Sequence, residues 1–105
     1  MQTTDRMQKL LAMLEKTPTD AFLYFALGME HKKLKQTPQA IEFFQKTLQH
    51  DPGYCVAYHQ AALAHEDAGQ IDDAKKMYQE GIAVAHKKGD HHAAGEMEGA
   101  LSMIE

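Results

Sequence analysis

The seven histidines of this 105-residue chain are its most conspicuous source of reactivity. Three of them crowd the stretch "HKKGDHH", where His86, His91 and His92 surround a turn and Glu96 follows His92 by four residues, on the same helical face. Zinc needs such ligands to converge at about 2.0–2.1 Å, and the segment lacks the HExxH or Cys-x2-Cys spacing that arranges them in advance. The expectation is solvent-exposed histidines at helix ends and no metal. A second candidate is Cys55 with His59 four residues later, a thiol and a base on one side of a helix. That pair stands alone: no glycine-rich phosphate loop or nucleophile elbow accompanies it, so neither catalysis nor a cofactor is expected.

The composition narrows the remaining choices. At 44% hydrophobic and 25% charged, the chain has the apolar content of one folded domain and no room for a second. Its formal charge is −4, and the basic runs are the pairs Lys32-Lys33, Lys75-Lys76 and Lys87-Lys88. Nothing there supplies the sustained cationic surface that a nucleic acid or an anionic membrane attracts. Cys55 is the only cysteine, which excludes an intramolecular disulfide and a cysteine-rich zinc site. The segment "MQTTDRMQKL" lacks the apolar core of a secretion signal, and the apolar run Ala21 to Leu27 falls far short of the roughly 20 residues that cross a bilayer. A soluble, cytoplasmic protein is the expectation.

Apolar residues recur at helical spacing in six stretches: Met7 to Leu14, Tyr24 to Leu34, Ile41 to Leu48, Tyr58 to Ala62, Met77 to Ile82 and Met97 to Ile104. Capping residues support the breaks between them. Asp20 precedes the second helix, Thr37-Pro38 puts a proline in the first turn of the third, and Asp72 is expected to cap the fifth. Gly89 suits a left-handed helix end, and Asp90 can start the sixth helix. Connections of two to five residues then force neighbouring helices to run antiparallel.

A shift of 34 lays the chain on itself: Pro18 on Pro52, Tyr24 on Tyr58, Leu27 on Ala61, Gly28 on Ala62, His31 on His65, Ala40 on Ala74, Phe44 on Tyr78 and Leu48 on Ile82. The order Tyr24-x2-Leu27-Gly28-x2-His31, then Ala40-x3-Phe44, then Pro52 resembles the tetratricopeptide repeat, with tyrosine in place of its tryptophan and histidine in place of its tyrosine. The resemblance implies an all-α fold, a right-handed solenoid of antiparallel helix-turn-helix units. It places an N-terminal half-repeat helix at 4–17, repeats at 21–54 and 55–88, and a capping helix at 90–105. Spacing gives the small residues their purpose: Gly28 or Ala62 lets one helix approach its partner, with Ala40 or Ala74 opposite, and a large side chain there would overpack the pair.

At 100° per residue the second helix has two apolar faces, because Tyr24, Leu27, Gly28 and His31 share one arc while Phe22, Phe25 and Met29 share another. In proteins of this resemblance the second face lines a concave groove in which peptides dock. The same offsets add Val56, His59 and Leu63 from the second repeat and Met97 from the last helix, with Lys32 at the rim, where Lys32 and Lys33 align with Glu66 and Asp67. Some relatives grip a peptide's C-terminal carboxylate with lysine and asparagine. Here Phe25, Met29, Gln60 and Leu63 occupy those positions, so an apolar or helical protein segment is the expected partner, with nucleic acid and membrane excluded. The alternative is a homodimer that buries the same face.

Overall fold

The described residues form six helices: α1 (Asp5–Lys16), α2 (Ala21–Lys33), α3 (Thr37–His50), α4 (Cys55–Asp67), α5 (Ile71–Lys88) and α6 (His91–Ser102). Among residues 3–105, which the computed structural model describes, there is no strand. Most starts follow local chemistry. The Thr4 hydroxyl accepts from the Met7 N–H (3.0 Å), Asp20 from Phe22 (3.0 Å) and Asp90 from Ala93 (3.1 Å), each satisfying a donor the helix cannot. Pro38 lies in the first turn of α3, and Gly89 ends α5 at φ 76°, a left-handed conformation that glycine adopts without penalty. The expectation for Asp72 is corrected. Gln70 is the residue that precedes α5, which begins at Ile71, so Asp72 sits inside the first turn at the place Pro38 has in α3.

The helices pack in sequence, α2 with α3 and α4 with α5 as antiparallel hairpins, α3 on α4, α5 on α6, and α1 against α2. Their extents of 38 × 29 × 18 Å describe a short stack, and the core is correspondingly divided. One cluster joins α1 to α2 through Met7, Leu10, Leu23 and Leu27; a second joins the hairpins through Ala40, Phe44, Ala61 and Ala64; a third gathers Tyr58, Tyr78, Ala94 and Met97. Gly28 serves close approach, and its neighbour is Phe44. A Cβ there would fall 2.5 Å from the Phe44 ring, whereas the sequence had pointed to Ala40 as the opposing residue.

Two hydrogen-bonded devices recur at the 34-residue period. Tyr24 donates its hydroxyl to the Pro18 carbonyl (2.7 Å), and Tyr58 donates to Pro52 (2.8 Å), tying the start of each hairpin to the preceding turn. His31 Nδ1 meets Gln36 Oε1 and His65 Nδ1 meets Gln70 Oε1, both at 2.7 Å, while the backbone N–H groups of Gln36 and Gln70 bond the carbonyls of His31 and His65. The substitutions of tyrosine for tryptophan and histidine for tyrosine are thus absorbed by bonds of their own.

Candidate functional site

α2 and α4 begin 34 residues apart, so the outward arc of one is repeated on the other. Phe22 is 54% exposed and Val56 45%, so apolar surface recurs at two equivalent positions. Phe25, Met29 and Leu63 are half-buried. Phe25 lies tilted against both Phe44 (5.7 Å) and Tyr54 (5.1 Å), and Met29 packs on the same cluster, so both also support the fold. Lys32 is half-buried too and donates to Gln60 Oε1, bridging α2 to α4. Among the described residues Lys32 forms no ion pair with Glu66, the residue it aligns with in the second repeat. Glu66 accepts the Tyr78 hydroxyl, and burial, reinforced by that bond and by the carboxylate's charge, pushes the phenol well above its usual range.

His59 lies half-buried on this face, edge-on to Tyr78 at 5.8 Å. Burial lowers its pKa; Glu96 opposes the shift, Lys32 reinforces it and Glu66 opposes it. Those neighbours place side chains of α2, α4 and α6 around one imidazole that favours its neutral form. Cys55 is half-buried at the start of α4 and turns its Sγ toward the Gly53 carbonyl (3.6 Å), so thiol and imidazole are not bonded to one another.

Met97 requires a correction. It is 1% exposed, and its sulfur would lie 2.6 Å from a Cβ at Gly81, so it belongs to the core and offers a partner nothing. The reason is a break in period: α6 begins 36 residues after α4, because α5 is four residues longer than α3 and the following connection two shorter. Two extra residues turn a helix by about 200°. The positions of α6 equivalent to Phe22, Phe25 and Met29 are then His92, Gly95 and Gly99, all exposed.

Around the last turn, His86 lies 5.6 Å from His91 ring to ring and 3.8 Å from Glu98, while His92 faces Glu96 at 3.3 Å. Among the described residues no three ligand-type side chains converge on a point that would hold a metal ion. Among the described residues no helix is long and apolar enough to cross a membrane.

Comparison with known proteins supplies the context for this face. A family model described as tetratricopeptide repeat matches residues 33–96. The TPR repeat-containing protein PA0015 of Pseudomonas aeruginosa is 31% identical over 85 residues, covering 81% of each chain. A tetratricopeptide repeat domain protein from Salinibacter ruber, solved by NMR, superposes with a TM-score of 0.78 at 31% identity, covering 84% of this chain and 89% of that one. PcrH, crystallised in complex with the chaperone binding region of PopD, has a TM-score of 0.87 at 22% identity, covering 95% of this chain and 77% of that one, a likeness of fold.

Proposed function

Because the chain belongs to the tetratricopeptide repeat family, we propose that it is a protein-interaction module whose α2–α4 face docks an apolar, peptide-like or helical segment of a partner protein. One observation carries the reading: Phe22 and Val56 stand exposed at equivalent positions of two successive repeats, beside half-buried Phe25, Met29 and Leu63. Contiguous apolar surface is costly to leave in water, and methionine and phenylalanine adapt to varied side chains. PcrH offers a precedent in the same fold for holding a polypeptide segment. His59 suits an apolar partner as well, since burial favours its neutral form. In this reading 21–54 and 55–88 are the working repeats, 4–17 is a half repeat and 90–105 a cap. The module is a non-enzymatic, cytoplasmic adaptor.

The test uses the two exposed residues, because Phe25 and Met29 also hold up the core. Phe22→Glu with Val56→Glu should leave the circular dichroism spectrum and melting temperature unchanged and abolish cross-linking to the partner captured by the wild type. Retention of that partner at equal yield would move the site elsewhere. The second reading, a homodimer across the same face, rests on the same exposed pair. Light scattering decides it: a concentration-independent dimer that becomes a monomer in the double variant means the face is spent on a second copy.

A further inference from the structure

His59 holds on α4 the place that Phe25 has on α2, so one imidazole interrupts an otherwise apolar arc. Val56, three residues before it, is exposed, and Leu63, four after it, is half-buried like His59 itself. The ring thus stands within the α2–α4 face, between the residues on which docking depends. α2 sends it Lys32, α6 sends Glu96 and α4 its own Glu66, while α5 sets the Tyr78 phenol against it at 5.8 Å, neutral throughout the acid range. α3, the other helix packed on α4, pairs its Glu42 with its Lys46 and stacks His50 on Tyr24. Both carboxylates near His59 are engaged elsewhere. Glu66 accepts the Tyr78 hydroxyl, and Glu96 faces His92 at 3.3 Å, a contact that protonation of His92 turns into an ion pair. Acid therefore binds Glu96 more firmly to another partner.

We propose that the α2–α4 face is an acid-releasing docking surface: a bound apolar segment completes the burial of neutral His59 and is expelled when that ring takes up a proton. The inference rests on the reading of this face given above and adds its regulation.

The sign follows from solvation. Burial is the largest influence on His59 and already lowers its pKa, with Lys32 acting in the same direction. A docked apolar segment strips away the water that still reaches the ring, and an imidazolium deprived of water is costly. Docking then lowers the pKa further, and by linkage the proton weakens docking by the same factor. Affinity is complete above the ordinary histidine value of about 6.5 and is lost as pH falls through the pKa of the free protein. Phe25, at the matching position of the first repeat, carries no proton, so the sensitivity belongs to the second repeat alone.

The probe is a peptide selected on the immobilised full-length chain at about pH 7.5 from a display library without carboxylate, histidine or cysteine side chains, then made with blocked ends, so that pH acts on the protein alone. Loss of its binding to Phe22→Glu with Val56→Glu establishes that it lies on the face. Its affinity should fall roughly three- to tenfold between about pH 7.5 and about pH 5, within the limit of about tenfold per pH unit for one proton. The His59 ring, followed by NMR, should titrate at lower pH in the complex than in the free protein. His59→Gln, uncharged throughout, should bind the peptide equally at both pH values, while every other histidine is unchanged and any effect of acid on the fold is retained. A face-dependent peptide with the same affinity at both pH values, a His59 titration that it does not move, or a loss that persists in His59→Gln would overturn the acid release and leave the docking face standing. A library that yields no peptide sensitive to Phe22→Glu with Val56→Glu would remove the face, and this inference with it.

Discussion

At the scale of single residues, glycines inside helices illustrate how one amino acid can mean opposite things. Gly28 is buried, and an added Cβ would land in the Phe44 ring, itself fully buried and unable to move away cheaply. Gly95 lies on an exposed face of α6 with nothing within 4 Å of the same imaginary atom. Glycine costs a helix about 0.5–1 kcal/mol relative to alanine, whereas overpacking a core costs about 1–3 kcal/mol. Clash therefore outweighs propensity at Gly28, and propensity acts alone at Gly95. Urea titration of Gly28→Val should show a loss of about 1–3 kcal/mol, and Gly95→Ala a gain of about 0.5–1 kcal/mol. No loss in Gly28→Val would mean that Gly28 is not needed for the approach of α2 to α3. The repeat pattern made Gly28 legible as a small residue, but only coordinates identify the ring it makes room for.

At the scale of elements, the sequence reads well wherever signals are local and repeated. Asp20, Pro38, Gly89 and Asp90 mark helix ends by chemistry confined to a few residues, and the 34-residue period aligns α2 with α4 and α3 with α5. It reads poorly where a register depends on the length of an element. Nothing near Met97 says that α5 runs a turn longer than α3, yet that difference rotates Met97 from the outer arc into the cluster with Tyr58 and Tyr78. The His31–Gln36 and His65–Gln70 bonds were available as a second repeat, His-x4-Gln, and mark the turns between paired helices. The register of α6 can be checked by truncation. Met97→Ala should cost about 2–5 kcal/mol as a buried methionine, while Val56→Ala should stay within about 0.5 kcal/mol as a surface change. Comparable small effects of both, measured by chemical denaturation, would return Met97 to the surface.

At the scale of the whole molecule, stability is distributed along a line, and its ends are not equal. α1 touches only α2 extensively, through Met7 and Leu10 against Leu23, Ala26 and Leu27, with Arg6 at 3.4 Å from Glu30 and the Thr4 hydroxyl bonding the same carboxylate. Arg6 is largely exposed, so that ion pair adds little, and the apolar contact holds the helix in place. α4 and α5, by contrast, are flanked by helices on both sides. A helix of 12 residues is marginal without its packing, so weakening one contact should release α1 alone. Leu10→Ala removes a buried side chain at a cost of about 2–5 kcal/mol, and native-state hydrogen exchange shows where that cost falls. Amides in the second half of α1 should lose their protection while those of α4 and α5 keep theirs. Equal loss of protection in α1 and α5 would instead show the six helices opening as one cooperative unit, with α1 no more separable than the hairpins it precedes.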